Sequence, residues 1–195
     1  MAKRTRRSPE VARDLILDAA DRVFARELPD AVGLREIAAE AKISHGLVTH
    51  YFATYDNLVA TVLERRLGAA RAQAFAKLGQ GFDPRKQPLL DALIELLEDK
   101  ALVRLIAWSA LRGDPVFGKA GGLGRLVDVL MAPLIAGGAK PDRTRFELAL
   151  VFAMSTVMGW GVIGASLANG VGARIDRERL RTELQRMLFA YLGAP

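Results

Sequence analysis

The chain has 195 residues, 28 Lys and Arg against 22 Asp and Glu, no cysteine, and a formal net charge of +6. That length suffices for one helical unit with a sizeable core, or for a small domain fused to a larger one. The lack of cysteine excludes disulfides, thiolate nucleophiles and sulfur-based zinc sites and fits a reducing cytosol, while the N-terminal MAKRTRRSPEVARD has no apolar stretch of the kind a secretory signal carries.

Nearly every segment reads as helix and no run alternates as a strand does, so the expected fold class is all-α. The basic residues Lys3, Arg4, Arg6 and Arg7 form an arm ahead of the first helix, either a DNA-contacting arm or a solvated tail. The first helix is expected after Ser8, with Pro9 and Glu10 as N-terminal chemistry and Val11, Leu15, Ala19, Val23 and Phe24 as its apolar face. Leu28-Pro29-Asp30 ends it. A short second helix places Leu34, Ile37, Ala38 and Ala41 on one stripe, and a third begins after Ser44 and runs to about Phe52.

From Asp56 a long helix is expected to about Leu78, before a break at Gly79-Gln80-Gly81-Phe82-Asp83-Pro84. Further helices are expected near 87–98, 100–112, 120–136, 142–168 and 175–192, separated by Gly113-Asp114-Pro115, Gly137-Gly138 and Asn169-Gly170. No repeat or low-complexity linker interrupts them.

Two short helices with a tight connection, 34–41 and 45–52, have the dimensions of a helix-turn-helix, whose second helix enters the major groove. Ile37, Ala38, Val48 and Phe52 read as the contacts fixing the angle between them, and Ala41 as a close-approach position. His45, Leu47, Thr49 and His50 occupy the remaining face of the third helix, within reach of base edges.

The segment LREIAAEAKISHGLVTHYF, followed by ATYDNL, resembles the pattern of the TetR (tetracycline-repressor) family: an Ile-Ala core pair, a small residue before the turn, Ser44 at the cap, Gly46, a Tyr-Phe ending and a downstream Leu. The resemblance covers about residues 8–60. It implies an N-terminal three-helix DNA-binding domain, 1–55, and a C-terminal helical domain, 56–195, for ligand binding and dimerisation. It also implies that Arg35 stands beside the recognition face, and Tyr51 and Tyr55 look like phosphate contacts. The sequence departs from the family pattern at Gly33, where Thr is usual, at Thr49, where Tyr is usual, and at Tyr55, where Lys is usual. Charges through residue 58 balance, so the net excess lies outside this segment and is no evidence for DNA binding.

The run 148–168, LALVFAMSTVMGWGVIGASLA, carries no charge and is long enough to span a bilayer, but Ser155, Thr156, Ser166 and its small residues favour a helix buried in a protein interface. Ala149, Ala153, Gly161 and Ala165, with Val157 between, recur in steps of four and suit a close-packed dimer seam, to which the last helix adds Leu180, Leu184, Met187, Leu188 and Tyr191. Gly159-Trp160-Gly161-Val162-Ile163-Gly164 spells a dinucleotide fingerprint but lacks the preceding strand and the correctly spaced acid. His45 and His50 are five apart, wrong for a zinc pair on one helix face, and no serine sits in a nucleophile elbow. Carboxylate pairs such as Glu98-Asp99 and Asp176-Glu178 read as solvated helix ends. No enzyme activity, metal or cofactor is expected.

Arg104, Trp108 and Arg112, at spacing four, together with Met154 and Met158, are candidates for an apolar ligand pocket with a cationic anchor; the alternative is Trp108 and both Met residues as core, with the two Arg side chains in solvent. The reading is a cytoplasmic, homodimeric, ligand-responsive repressor that binds palindromic double-stranded operator DNA and releases it when a small-molecule effector binds. Its rivals are a membrane-anchored protein spanning at 148–168 and a helical interaction module that never meets DNA.

Overall fold

The computed structural model describes residues 8–79, 88–95, 99–117 and 122–192. The N-terminal basic arm, the break from Gln80 to Pro84 and Glu98 lie outside them. The described residues form helices α1 (Pro9–Arg26), α2 (Leu34–Ala41), α3 (His45–Phe52), α4 (Tyr55–Gly79), α5 (Pro88–Glu95), α6 (Lys100–Leu111), α7 (Gly122–Ala136), α8 (Arg143–Gly159), α9 (Ala165–Gly170) and α10 (Arg177–Leu192). A 3₁₀ turn, Pro29–Ala31, follows α1, and a π turn, Trp160–Gly164, joins α8 to α9. Among the described residues there is no strand, and the all-α class holds.

Helix α1 starts where the Ser8 hydroxyl accepts a hydrogen bond from the Val11 amide, with Pro9 in the first turn. Its buried face is Ala12, Ile16, Ala19, Ala20 and Val23, joined by Leu17 and Phe24, so Val11 is not part of it and stands 55% exposed. The buried face therefore begins at Ala12. Side chains of α2, α3, the first half of α4 and one face of α6 close this first core around Phe24, Ile37, Val48, Phe52, Leu58, Val62, Leu102 and Leu105. Full burial of each Phe, Ile or Leu in it contributes about 1.5–3 kcal/mol.

A second core, between α5, α7, α8 and α10, gathers Leu93, Ile94, Val127, Met131, Leu150, Ala153, Val157, Leu180 and Leu184. Met158 touches both cores. Ala149, Ala153 and Val157 thus face the chain's own interior, as do Leu180 and Leu184, while Gly161 and Ala165 of the same small-residue row are exposed. The outer face also carries Leu148, Val151, Phe152, Val162, Ile163 and Leu167. From Arg143 to Gly170 the helical run is continuous, long and apolar enough by length and composition to cross a membrane.

The last glycine of the fingerprint, Gly164, has a packing explanation. A Cβ on Gly164 would lie 2.4 Å from the Trp160 indole, so Gly164 is needed for that ring to lie across the helix, and the residue between turns is accommodated by the π turn.

Ion pairs fasten the first core from outside. Glu40 of α2 accepts from Arg22 at 2.7 Å and from Arg26 at 2.8 Å, both on α1, and these hydrogen bonds hold its carboxyl below the ordinary glutamate range. A depressed carboxyl pKa gives stability that is present above the unfolded value and lost as pH falls through the folded one. Thermal unfolding followed from neutral pH to below about pH 4.3 should therefore show the wild type losing stability faster than Glu40→Gln, which starts less stable at neutral pH and has the flatter acid limb. Equal slopes would remove this role from Glu40.

Candidate DNA-binding face and effector cavity

Two features aim the third helix. Lys42 adopts the left-handed conformation (φ 55°, ψ 44°), and the Ile43 amide donates back to the Ala38 carbonyl at 3.0 Å, which closes α2 and turns the chain sharply into α3. Val48 and Phe52 then drop into the first core. Their burial leaves the opposite face outward by helical periodicity: Ser44, His45, Gly46 and His50 are exposed, and Leu47, Thr49 and Tyr51 half-buried. Arg35, in the first turn of α2, is also exposed.

Ser44 is the N-cap residue of α3, yet its side chain makes no capping bond, which departs from the expected cap chemistry. The Thr49 hydroxyl donates to the Gly46 carbonyl at 3.0 Å, so its one hydroxyl hydrogen is taken up within α3. A Cβ at Gly46 would meet nothing within 4 Å, so the fold itself does not require glycine there. At Gly33, where a hydroxyl cap is missing, the Glu36 carboxylate accepts from the Gly33 amide at 2.9 Å and supplies half of a capping box.

Tyr55 stands apart from this face. Its hydroxyl donates to the Pro29 carbonyl at 2.8 Å and its ring packs edge-on against Phe24. Burial, with the nearby carboxylates of Asp30, Glu36 and Asp56, pushes its pKa up, so the hydroxyl keeps the one hydrogen it donates to Pro29 and has none for a phosphate oxygen. Tyr55 braces the 3₁₀ turn against α4.

Between the two cores lies a cavity of about 590 Å³. Helix α4 lines it from Asp56 to Ala74, α6 contributes Ile106, Trp108, Ser109 and Arg112, and Met154 and Met158 come from α8. Of the expected pocket residues, Trp108, Arg112, Met154 and Met158 meet here. Arg104 does not: it is exposed and outside the wall, because each step of four residues drifts by roughly 40° around a helix. Trp108 is buried, and its indole N–H has no acceptor among the described residues.

Sequence reading did not reach the α4 side of the cavity. Leu63, Leu67, Ala70 and Ala74 recur at helical spacing beyond the helix-turn-helix, which was the available signal. It also did not find the struts between α1, α4 and α6. Arg66 donates to Asp21 at 2.7 Å and to Asp99 at 2.5 Å, while the other oxygen of Asp99 caps α6 by accepting from the Leu102 amide. Arg65 reaches Asp18 at 2.8 Å and also pairs with Asp21.

Comparison with known proteins agrees with this geometry. Residues 16–62 match the tetR family of bacterial regulatory proteins. An uncharacterized HTH-type transcriptional regulator of Mycobacterium tuberculosis is 26% identical over 141 residues, 72% of this chain and 70% of its own length. An HTH-type transcriptional repressor of the same organism is 49% identical over 49 residues, 25% of this chain and 26% of its own. The fold resembles that of a tetR-family transcriptional regulator from Streptomyces coelicolor with a TM-score of 0.66 at 21% identity, over 96% of this chain and 82% of that one.

The Tyr55 geometry makes a separable prediction. Tyr55→Phe should lower unfolding stability by about 0.5–1.5 kcal/mol, measured by chemical denaturation, and leave duplex affinity at the wild-type level. A variant of wild-type stability with weakened affinity for every duplex would restore Tyr55 as a phosphate contact.

Proposed function

We propose that this chain, a DNA-binding transcriptional regulator of the TetR family, is a repressor that releases a palindromic operator when a small molecule fills the cavity between its two cores. Residues 1–55 then serve DNA and 56–195 the effector and the dimer. One observation carries the ligand response: α4 buries Leu58, Val59 and Val62 in the core that positions α3, and the same helix forms a wall of the cavity down to Ala74. A ligand that fits best with α4 displaced favours a second placement of the recognition helix, and by linkage must weaken operator binding.

The recognition surface consists of Arg35, Ser44, His45, Gly46, Leu47, Thr49, His50 and Tyr51. Arg35 is suited to a bidentate bond with guanine, the Thr49 methyl to a thymine methyl, Tyr51 to a phosphate, and Gly46 to close backbone approach. Dimerisation supplies the second half-site reader. The exposed row Leu148, Val151, Phe152, Val162, Ile163 and Leu167 is a helix face that a second copy would cover, and exposed Ser155, Thr156 and Ser166 on the same helix suit a protein partner better than lipid. A regulator that meets duplex DNA in this way works in the cytoplasm and needs no catalytic centre.

Selection of bound duplexes from a random pool is the direct test: recovery of a palindrome supports the reading, and no enrichment at any salt concentration defeats it. On the recovered operator, Arg35→Ala should cost about 1–3 kcal/mol and relax preference at one position per half-site. Unchanged preference would mean that α2 docks differently. The double variant Val151→Glu, Leu167→Glu should sediment as a monomer and lose most operator affinity, whereas a variant that stays dimeric would place the dimer seam elsewhere.

A further inference from the structure

The cavity wall holds five charged side chains: Asp56, Glu64 and Asp114 against Arg71 and Arg112. Arg112, at the C-terminal end of α6, is not simply solvated. Its guanidinium carbon lies 4.6 Å from the centre of the Trp108 ring, its Nη2 donates to Asp56 at 3.1 Å, and its Nε faces Asp114 at 3.7 Å. A cation over an indole face, flanked by two carboxylates, is the arrangement in which an aromatic site holds a positively charged ligand.

The same contacts argue against an anion at this position. An anionic group reaching Arg112 would have to sit beside the two carboxylates that already face its guanidinium. If Arg112 leaves, the wall keeps Asp56, Glu64 and Asp114 against Arg71 alone, and Glu64 has no ion pair among the described residues. Apolar groups for the rest of a ligand surround the position: Leu67, Ile106, Phe117, Met154 and Met158.

Resting on the effector reading of the cavity, we propose that Arg112 is a built-in occupant of a cation subsite, and that the effector is an apolar organic cation which displaces it from Trp108. The exchange also carries the signal. Asp56 lies in the first turn of α4, directly after α3, so the Arg112–Asp56 pair is a tie between the sensing helix α6 and the start of the helix that seats the recognition helix. A ligand cation that takes over Asp56 and Asp114 cuts that tie.

Tetraphenylphosphonium and tetraphenylborate are nearly equal in size and opposite in charge, which makes them a controlled pair of probes. Both are titrated into the full-length protein in a Trp160→Phe background, so that fluorescence reports Trp108, and into its complex with a selected duplex. Tetraphenylphosphonium should bind and weaken the duplex complex, tetraphenylborate should bind about tenfold more weakly, and Arg112→Gln should tighten the phosphonium by about tenfold. Arg112→Lys, which restores a cation, should remain near wild type. Preferential binding of tetraphenylborate, lost in Arg112→Gln, would overturn the cation subsite and leave the effector cavity standing. Phosphonium binding that ignores Arg112 would also overturn it, as would failure of both ions to bind. Phosphonium binding with the expected charge dependence but no effect on the duplex would keep the subsite and defeat the effector reading.

Discussion

The burial of α4 on two sides is the constraint on which the rest of the structure depends. Its first turns are held in the core of the N-terminal bundle by Leu58, Val59, Val62 and Leu63, and further along its Phe75 packs against the second core. A helix interior transmits displacement because its backbone hydrogen bonds are internally satisfied and its contacts are close-packed. One element therefore seats α3 and forms part of the cavity wall at the same time. The Arg66 clamp between Asp21 and Asp99 fixes α1, α4 and α6 at one junction, on the side where the first core would otherwise open to solvent.

The same economy governs the long apolar helix. Residues from Arg143 to Gly170 are too apolar for one buried stripe, and the fold resolves this by turning Ala149, Leu150, Ala153 and Val157 inward and leaving a second apolar row outside. In the single chain that row is exposed to water, a contiguous apolar surface larger than scattered single residues make. The π turn at Trp160–Gly164 follows from one large ring laid over one glycine, and that segment also packs against α6, beside the cavity.

Local preferences are overridden around α3 and at the end of α6. Lys42 and Ala53 both hold φ of 55° without being glycine, at the C-caps of α2 and α3, on either side of the buried Val48 and Phe52. At Arg112 a side chain with access to water instead lies on an indole between two acids.

The helix order, most helix boundaries, the helix-turn-helix and the outward face of α3 were legible in the sequence, because they follow from local rules: an apolar period of 3.6, Ser8 and Pro9 at a helix start, glycine and proline at breaks. Trp108, Arg112, Met154 and Met158 were also legible as residues able to share one cavity wall, since large apolar side chains with a nearby cation stand out at helical spacing. Tertiary structure decided what periodicity cannot. Tyr55 is turned to the Pro29 carbonyl, 26 residues earlier, rather than to the outward face of α3. Arg104 left the pocket because spacing four drifts around the helix, and which face of an all-round apolar α8 turns inward was set by the helices it meets. A sequence fixes which surfaces of a helix are apolar, but the partner for each surface is chosen by packing against segments far along the chain, as with Arg181 on α10 and Asp91 on α5, 90 residues apart.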